Sequence, residues 1–280
     1  MTSHPTAVLI VNFRTPVLSV QAAVSTLADP DVSEVIVVEN GSGDGSAELL
    51  AAALPTDPRI ALVTSPKNLG FGRANNLGAE QVTSPFLFLL NSDAELRAGG
   101  IGRLAAALEG EHPCSIVAPE VRTSPGDELQ IDAAGRFPSA ANVITGRVSR
   151  PSNASSPDWV SGCAMLLRRD CFRDLGGFDP GFFMYLEDVH LCWKARQAGG
   201  TIRIERSVKV THLGGASYRS AVRTPKPEYA RSHDLYLQKT GASYATRTLV
   251  RSMRAARDSV HRSGLKPAQA SPEGRPSNQE

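Results

Sequence analysis

The chain has 280 residues with 41% hydrophobic and 21% charged side chains, the composition of an ordinary soluble globular protein. Its formal net charge of +2 gives no reason to expect nucleic acid as a partner. The four cysteines are widely spaced and form no CxxC pair, which argues for reduced thiols rather than a disulfide framework or a zinc site. We find no signal peptide and no apolar run of membrane-spanning length, so any membrane contact is expected to be peripheral.

Apolar strands and helices alternate along the first third of the chain. Strands are predicted at 7–13, 34–38, 59–63 and 86–90, and helices at 16–27, from about 46 to 54, and after the segment 68–76. Pro16 suits the first turn of a helix, where its missing N–H costs nothing. This alternation predicts an α/β fold with a mostly parallel sheet and helices on both faces.

The alternation loosens in the remainder of the chain. A strand is predicted at 115–118, loops in the Gly-, Ser-, Pro- and Asn-rich stretch 123–157, and apolar structure at 159–167. Helices are predicted at 168–175, at 186–198 before a double glycine, and over most of 229–262. The polar tail from 266 onward has the composition of a disordered segment.

The strand at 86–90 ends on Asn91-Ser92-Asp93, which places a carboxylate at the carboxyl end of a buried strand. Ligands of open α/β sheets bind at that end of the strands. A carboxylate held there suits a divalent cation, and a divalent cation suits a diphosphate. Two glycine-containing loops, 39–46 and 68–76, follow the second and third strands and are interpreted either as ligand loops or as capped turns. The second lacks the third glycine of a dinucleotide fingerprint, which argues against a Rossmann dehydrogenase.

Two further segments carry side chains suited to chemistry. Glu187 and Asp188 follow an aromatic cluster and open a helix, where the helix dipole favours negative charge. Aromatic surroundings also raise the pKa of a carboxylate, as a general base requires. His212 lies between a strand predicted at 208–211 and a double glycine, and a neutral imidazole beside a carboxylate is a good partner for Mn²⁺ or Mg²⁺.

The C-terminal helix carries arginines at roughly helical spacing, interleaved with apolar residues: Arg247, Arg251, Arg254, Arg257 and Arg262. This pattern is typical of a helix that lies on an anionic membrane surface. A solvated helix packed on the domain explains the same pattern equally well.

Eight short segments occur in a fixed order between about residues 7 and 217: IVNF (10–13), ENGSGDGS (39–46), NLGFG (68–72), LNSD (90–93), WVSG (159–162), GGFD (176–179), FMYLED (183–188) and HLGG (212–215). In this order they resemble the family 2 glycosyltransferases, and most closely the bacterial rhamnosyltransferase-like branch. The resemblance implies a GT-A fold, with a mostly parallel central sheet flanked by helices and a C-terminal helical extension. It also implies an inverting transfer of a sugar from a nucleotide donor to a hydroxyl group.

The resemblance also implies the roles of individual residues. Asp93 matches the last carboxylate of the family's metal-binding DxD motif, and His212 matches the histidine that joins it on Mg²⁺ or Mn²⁺ in several members. Asp188 matches the catalytic base of the Glu-Asp motif, in which Glu187 precedes it. The residues expected to bind the nucleotide sugar are Asn12, Glu39, Asn40, Asp44, Asn68, Gly70, Arg73, Asn91, Ser92 and Asp93. Those expected to bind the acceptor are Trp159, Gly162 and Tyr185.

The sequence departs from the family pattern at three positions. Asn91 replaces the first carboxylate of the DxD motif, which lowers the charge at the metal site. Glu39 stands where members usually carry an aspartate that holds the nucleotide base. His190 replaces a further aspartate, and a histidine at this position could introduce a pH dependence.

The expected organisation is a glycosyltransferase domain at 1–220, a helical extension at 221–264 and a disordered tail at 265–280. Within the first domain, a nucleotide-binding half is expected at about 5–98 and an acceptor half at about 99–220. The branch makes dTDP-rhamnose the expected donor, although UDP-linked hexoses are compatible with the same residues. The acceptor is expected to be a glycan, a lipid-linked glycan or a small metabolite. The expected location is the cytoplasm, with peripheral contact at the inner face of the cell membrane if the C-terminal helix binds lipid.

Two other functions remain as alternatives. A nucleotidyltransferase shares the parallel sheet and the carboxylate–metal chemistry, but it would carry a basic glycine-rich motif after its first strand, where this chain reads NFRTP (12–16). A non-catalytic nucleotide-binding protein would not need Glu187, Asp188 and His212.

Overall fold

The described residues form an eight-stranded sheet and a separate two-stranded sheet. The computed structural model describes residues 4–97, 99–139, 156–213 and 226–262. The strands are β1 (Thr6–Asn12), β2 (Val32–Asn40), β3 (Ile60–Ser65), β4 (Phe86–Asn91), β5 (Ala94–Leu96), β6 (Ile116–Thr123), β7 (Ala134–Gly135), β8 (Trp159–Val160), β9 (Ala164–Arg168) and β10 (Ile202–His212). The helices are α1 (Pro16–Leu27), α2 (Ser46–Ala53), α3 (Phe71–Ala79), α4 (Ile101–Ala106), α5 (Arg169–Asp174), α6 (Glu187–Gln197), α7 (Lys226–Lys239) and α8 (Tyr244–Arg262).

The strands of the large sheet follow the spatial order β3-β2-β1-β4-β9-β6-β10-β5. The first four in this order are mutually parallel, with β1 between β2 and β4. Strand β9 runs antiparallel to both β4 and β6, β10 is parallel to β6, and β5 closes the edge antiparallel to β10. The carboxyl ends of β1, β2 and β4 therefore meet at one end of the sheet, while β5 and β10 meet at their own crossing near Ala94 and His212.

Both faces of the sheet are buried, because successive side chains of a strand point to opposite faces. On β1, Val8 and Ile10 enter one core, while Ala7 and Leu9 enter the other. The first core is covered by α1, α2 and α4, and the second by α3, α5 and α6. All four of these β1 side chains are 0% exposed, and full burial of a Val, Leu or Ile contributes about 1.5–3 kcal/mol each.

A third and smaller core joins α7 to the segment that precedes α6. It consists of Phe182, Leu186, Val189 and Tyr236. An ion pair of 2.8 Å between Lys239 Nζ and Asp179 Oδ2 strengthens this contact. Helix α7 therefore packs directly against the segment that leads into Glu187 and Asp188.

Helix α8 packs on α7 through its arginine-bearing face. Arg247 and Arg251 lie 3.6 and 3.5 Å from the Asp234 carboxylate, and Arg254 donates a hydrogen bond of 3.1 Å to the carbonyl of Ala230. Val250 is buried at the same contact. The large apolar side chains on the rest of the helix are exposed, among them Leu249 and Met253.

The predicted α/β alternation and mostly parallel sheet are confirmed, as are helices at 16–27, 168–175 and 186–198, within one residue of their ends. The helical stretch predicted at 229–262 begins three residues earlier, at Lys226. Helix α3 begins at Phe71, inside the segment 68–76 that was expected to precede it. The sequence analysis missed β5 and α4, and it recognised only the last part of β10. The C-terminal helical stretch is two helices, separated near Gly241 at φ +91°. The tail from 263 onward and the segment 214–217 lie outside the described residues, and the proposed domain boundaries stay predictions.

Within the described ranges, no helix combines the length and the apolar composition that crossing a bilayer requires.

Candidate functional site

The three central parallel strands β1, β2 and β4 each end on an asparagine, namely Asn12, Asn40 and Asn91. Asn12 of β1 pairs in register with Glu39 of β2, and Val11 pairs with Asn91 of β4, so the strand ends lie side by side. Asn12 is fully buried, and its Oδ1 accepts a hydrogen bond of 2.8 Å from the hydroxyl of Ser19 on α1. Asn12, which was predicted to bind the nucleotide, therefore uses its side-chain oxygen to join β1 to α1.

Glu39 shapes the loop that follows β2. Its carboxylate accepts backbone hydrogen bonds from Gly41 at 3.0 Å and Ser42 at 2.8 Å. Gly41 has φ +67°, and a Cβ there would overlap the backbone of Lys67, so only glycine is accommodated. The longer glutamate, where an aspartate is usual, therefore binds its own loop. The exposed Asp44 also binds its own loop, because its carboxylate accepts a hydrogen bond of 3.1 Å from the N–H of Ser46 at the start of α2.

A hydrogen-bond network ties the β2 loop to the loop before α3. Asn40 Oδ1 accepts from the N–H of Leu69 at 2.9 Å, and Asn40 Nδ2 donates to Asn68 Oδ1 at 3.1 Å. Asn68 Oδ1 also accepts from the N–H of Gly70 at 2.9 Å. Gly70 has φ +83°, and a Cβ there would overlap the carbonyl oxygen of Phe183. The structure thus brings the predicted residues Asn40, Asn68 and Gly70 together and packs their loop against the segment before Glu187.

Asp93 and His212 meet in a buried pair. His212 Nε2 lies 3.1 Å from Asp93 Oδ1, and both residues are 7% exposed. Asn91 Nδ2 lies 3.3 Å from the same imidazole nitrogen. The other nitrogen, Nδ1, is 2.8 Å from Gln130 Oε1. A proton on Nδ1 that is held by Gln130 leaves the Nε2 lone pair directed at the Asp93 side.

This donor set fits a hard divalent cation. Burial lowers the pKa of His212, but the hydrogen bonds to Asp93 and Cys163 and the charge of Asp93 outweigh that effect and raise the pKa to about 10. A positive charge at Nε2 is therefore favoured, whether it comes from a proton or from a cation. Among the described residues no group of three or more His, Cys, Asp or Glu side chains is arranged to hold a metal ion. A cation held here would need its remaining oxygen ligands from a diphosphate and water.

Ser92 lies between Asn91 and Asp93 in the sequence, and its side chain points toward the start of α1. It is buried, and its hydroxyl is 3.0 Å from the Thr15 hydroxyl at the start of α1. A cavity of about 70 Å³ opens next to it, lined in part by Leu18, Gln21 and Asp93. Helix α1 therefore forms one wall beside the Asp93 carboxylate.

Asp188 is held by two backbone amides. Its Oδ2 accepts from the N–H of Gly162 at 2.9 Å and its Oδ1 from the N–H of Val189 at 2.8 Å. The residue as a whole is half-buried. Burial raises the pKa of Asp188, and the amide hydrogen bonds oppose this shift. An oriented carboxylate with a raised pKa suits a general base.

Glu187 has a different environment from its neighbour. It is 5% exposed, and its Oε2 finds no hydrogen-bond partner among the described residues. Burial and the charge of Asp188 raise the pKa of Glu187 above its usual range. Because a neutral carboxylic acid is less costly to bury, burial favours the protonated form of Glu187.

The backbone before this pair is strained. Tyr185 and Leu186 have φ values of +70° and +66°, in the left-handed region that non-glycine residues rarely adopt. Such conformations cost about 1–3 kcal/mol each and concentrate at functional sites. The strained turn presents Glu187 and Asp188 at the first turn of α6.

Residues 162 and 163 connect the two groups of side chains. Gly162 binds Asp188 through its N–H, and the Cys163 carbonyl accepts from the N–H of Asn91 at 2.8 Å. A Cβ on Gly162 would lie 2.8 Å from the Phe71 ring and 3.4 Å from Asp188 Cβ. The predicted acceptor residue Gly162 thus acts as the close backbone support of Asp188.

The remaining predicted site residues are Tyr185, Trp159 and Arg73. Tyr185 packs edge-on against Tyr229 of α7 at 5.9 Å between ring centroids. Trp159 donates from Nε1 to the carbonyl of Arg136 at 2.9 Å, which fixes its ring next to β7. Arg73 is exposed on the first turn of α3.

His190 belongs to the small C-terminal core rather than to the cleft. It is 4% exposed and stacks on Trp193 at 5.8 Å. Burial, with the charge of Lys194, lowers the pKa of His190 to about 4. The position that usually holds an aspartate thus carries a neutral aromatic side chain at neutral pH.

Two residues at the site escaped the sequence analysis. Gln130 lies in a polar stretch that was interpreted only as loop, and no local signal connects it to His212. Arg14 follows β1 within the segment NFRTP (12–16), to which the sequence assigns no binding role. Its backbone N–H donates to the Ser42 hydroxyl at 3.0 Å and its Nε to the Ser42 carbonyl at 3.2 Å. A cation next to a strand end was a usable signal for Arg14.

Comparisons with known proteins identify the family and the fold. The sequence profile described as Glycosyl transferase family 2 matches residues 14–176. The N-acetylglucosaminyl-diphospho-decaprenol L-rhamnosyltransferase of Mycobacterium tuberculosis is 27% identical over 219 residues, covering 68% of this chain and 69% of the relative.

Solved structures share the fold at low sequence identity. The mannosyltransferase PcManGT of Pyrobaculum calidifontis, solved with GDP-Man and Mn²⁺, superposes with a TM-score of 0.56 at 18% identity, covering 94% of this chain and 76% of that one. GalNAc-T7, solved with UDP, GalNAc and Mn²⁺, gives a TM-score of 0.58 at 16% identity, covering 84% of this chain and 50% of that one. With the profile matching more than half of its residues, the chain belongs to glycosyl transferase family 2 and is a glycosyltransferase with a GT-A fold.

Proposed function

We propose that the chain transfers a sugar, with inversion at the anomeric carbon, from a nucleotide-diphosphate donor to a hydroxyl group of an acceptor. In this proposal Asp188 is the general base and Asp93 with His212 holds a divalent cation, Mg²⁺ or Mn²⁺. The acceptor is a glycan, a lipid-linked glycan or a small metabolite.

The observation that carries the proposal is the double role of Gly162 and Cys163. One peptide segment binds Asp188 at 2.9 Å and Asn91, two residues before Asp93, at 2.8 Å. The base and the cation pair are therefore attached to the same short backbone support. A displacement needs its acceptor base and its leaving-group site in fixed relation, because misplacement by 1 Å is costly in rate.

The donor is expected in the cleft formed by the loops after β1, β2 and β3. Asn40, Asn68 and Gly70 hold these loops in one arrangement, and Arg14 adds a positive charge beside Ser42. A divalent cation at Asp93 and His212 would supply positive charge against the leaving diphosphate. Gln130 fixes the imidazole ring for this role through Nδ1.

Asp188 accepts the proton of the acceptor hydroxyl as that oxygen attacks the anomeric carbon. The amides of Gly162 and Val189 hold the carboxylate in place, and its raised pKa improves its affinity for the proton. One displacement inverts the anomeric configuration, and no nucleophile of the protein takes part. Glu187, kept neutral by burial, supports this residue without adding a second charge.

Rhamnose from dTDP-rhamnose is the proposed donor sugar, supported by the rhamnosyltransferase names of relatives in Mycobacterium tuberculosis and Escherichia coli. The relative's decaprenol-linked acceptor makes a lipid-linked acceptor and peripheral membrane contact part of the proposal. The side of α8 that would meet lipid is the exposed apolar one with Leu249 and Met253, because Arg247, Arg251 and Arg254 contact α7.

A panel of nucleotide sugars tests the reaction class. Purified chain with Mn²⁺ is expected to release a nucleoside diphosphate from one donor, with dTDP-rhamnose first. Release of pyrophosphate would instead identify a nucleotidyltransferase. Binding of the nucleotide by calorimetry, without turnover of any donor, would identify a non-catalytic nucleotide-binding protein.

A further inference from the structure

A single turn, 183–186, carries the chain into the Glu187–Asp188 pair. Two consecutive residues of this turn, Tyr185 and Leu186, have left-handed φ values, a combination that a chain of L-residues disfavours on its own. Strained backbone of this kind persists only where the surrounding structure over-determines it. The contacts that hold the turn therefore decide where the first turn of α6 begins, and with it where the carboxylate of Asp188 lies.

Ser232 of α7 makes the most direct of these contacts. Its hydroxyl donates a hydrogen bond of 2.6 Å to the carbonyl of Met184, 48 positions earlier in the chain, and Ser232 is only 4% exposed. A serine inside a helix commonly bonds to a carbonyl of its own preceding turn. Ser232 instead bonds to the residue directly before the two strained ones, which fixes the peptide plane between Met184 and Tyr185.

Helix α7 also contacts both strained side chains. The ring of Tyr229 packs edge-on against Tyr185 at 5.9 Å between centroids, and Leu186 is buried in the third core together with Tyr236. Tyr229, Ser232 and Tyr236 are spaced three and four residues apart, so they lie on one face of α7. One face of a single helix thus holds three successive residues of the turn.

The two ends of the turn are attached to the donor side and to the base. Before the turn, the carbonyl of Phe183 accepts a hydrogen bond of 3.2 Å from the N–H of Phe71 at the start of α3. After it, Asp188 Oδ2 accepts from the N–H of Gly162 at 2.9 Å. A change in the turn would therefore alter the distance between Asp188 and the Gly162 amide while the donor loop stays in place.

We infer that α7 positions the general base: Ser232 and Tyr229 hold the turn in its strained conformation and so keep Asp188 on the amide of Gly162. Both act through the turn and are therefore positioning residues. This role rests on the proposed function, in which Asp188 is the base. The family profile ends at residue 176, before the turn and α7, so the family match does not assign this role. The helical extension is then a required part of the catalytic unit.

Two alanine variants of the full chain test this role. Ser232→Ala removes the hydroxyl, and Tyr229→Ala removes the ring of a residue that is 44% exposed, so folding should tolerate the second change. Each should lower kcat by about tenfold and leave the affinity for Mn²⁺ with nucleoside diphosphate, measured by calorimetry, within about twofold of the parent. Tyr229→Phe keeps the ring and should recover most of the parent kcat.

Ser33→Ala is the matched control for the lost hydroxyl. Ser33 lies near the amino end of β2, and its hydroxyl also donates to a carbonyl, that of Thr6 at 3.2 Å. The control should lower the thermal midpoint in the same way as Ser232→Ala but keep the parent kcat. If Ser232→Ala does not fold, Tyr229→Ala and Tyr229→Phe decide the question by themselves.

The pH profile of kcat separates positioning from a general loss of stability. An amide N–H favours the charged form of a carboxylate, so moving Asp188 away from Gly162 raises the pKa of the base. Among the described residues, the titratable groups whose charge interacts with this carboxylate are Glu187, Cys192 and Tyr229. Ser232→Ala leaves all three in place. At saturating Mn²⁺ and donor, the acid limb of kcat should move to higher pH by about half a unit in Ser232→Ala and should not move in the control.

A parent-like kcat in both alanine variants would overturn the inference, as would a lowered kcat whose acid limb has not moved. Equal losses of kcat in Ser232→Ala and Ser33→Ala would assign the effect to stability and would overturn it as well. Full transfer activity in Asp188→Asn would instead count against the proposed function, whichever result the α7 variants give.

Discussion

The amide N–H of Gly162 donates a hydrogen bond of 2.9 Å to Oδ2 of Asp188. Gly162 leaves no room for a side chain, since a Cβ would lie 2.8 Å from the Phe71 ring. Replacement by alanine would displace either that ring or the Asp188 carboxylate. We expect Gly162→Ala to lower kcat by about tenfold to a hundredfold, because a small displacement of an oriented group is costly.

The matched control for this change is Gly126→Ala, where the nearest atom to a new Cβ is 3.5 Å away. The thermal midpoint of both variants and their kcat on the donor identified by the panel are the measurements. A Gly162→Ala enzyme with the parent kcat would show that this amide does not position the base.

The buried pair of Asp93 and His212 predicts a pH-dependent affinity for Mn²⁺. A proton and a cation compete for Nε2, and the pKa of His212 is raised to about 10, so proton release accompanies cation binding. Between about pH 6 and pH 8, affinity should rise by up to about tenfold per pH unit. Calorimetry of Mn²⁺ binding with nucleoside diphosphate present measures this slope.

The same calorimetry tests whether Gln130 positions the His212 imidazole. Its Oε1 is 2.8 Å from His212 Nδ1, and loss of such a partner typically weakens metal binding about 10–100-fold. We expect Gln130→Ala to lower Mn²⁺ affinity by about tenfold, while Gln81→Ala, an exposed glutamine beyond α3, leaves it unchanged. Equal affinity in the two variants would rule out this role for Gln130.

Two buried histidines make the packing of α7 sensitive to acid. Burial, with a nearby positive charge from Lys194 or Arg254, lowers the pKa of His190 and of His233 to about 4, whereas the unfolded value is 6.5. Their contribution to stability is complete above pH 6.5 and is lost as pH falls from 6.5 toward 4. A shift of this size corresponds to about 3 kcal/mol for each histidine.

The thermal midpoint at about pH 7.5 and about pH 5 measures this effect. The paired variant His190→Phe with His233→Phe keeps aromatic side chains on both sides of the contact but cannot take up protons. It should lose less stability between the two pH values than the parent does. An identical loss in parent and variant would mean that other groups cause the acid sensitivity.

The exposed apolar side of α8 predicts which residues would meet a membrane. Leu249→Glu with Met253→Glu changes side chains that are 52% and 37% exposed, so folding should not suffer. We expect this variant to lose binding to vesicles that contain anionic lipid, because insertion of the apolar face is removed. Sedimentation with vesicles measures binding, and Thr248→Glu, on an exposed position of the same helix, controls for the added charge. Unchanged binding by the double variant would exclude contact through this side.

The sequence predicted the parallel half of the sheet well because each strand there is an uninterrupted apolar run. The β1 run is apolar on both faces, and that pattern identifies a strand covered by helices on both sides. Strand β5 is only three residues long, and its apolar and polar side chains alternate, so the sequence contains no comparable apolar run for it. Only its antiparallel pairing with the end of β10, Ala94 opposite His212, defines it.

The sequence predicted where the carboxylates of the candidate site stand in the chain, but not the contacts that hold them. Asp93, Asp188 and His212 stand at segment ends that sequence patterns mark. The backbone contacts of Gly162 and Cys163, and the approach of Gln130 to His212 across 82 positions, depend on tertiary packing that no local pattern encodes. The role of Glu39 in binding its own loop likewise follows from side-chain length within a packed turn. The tail from 263 onward lies outside the described residues, so the disorder expected there stays a prediction.

The most direct test of the account is the turnover of Asp188→Asn. General-base catalysis typically contributes about 10²–10⁴-fold, so acceptor-dependent release of nucleoside diphosphate should fall by that factor. Asparagine removes a buried charge but keeps only one acceptor oxygen for the amides of Gly162 and Val189, so these two effects on stability oppose each other and the thermal midpoint should change by no more than about 5 °C. Asp174→Asn, an exposed carboxylate on α5, should behave as the parent in both respects. Full transfer activity in Asp188→Asn would contradict the assignment of the base and the mechanism built on it.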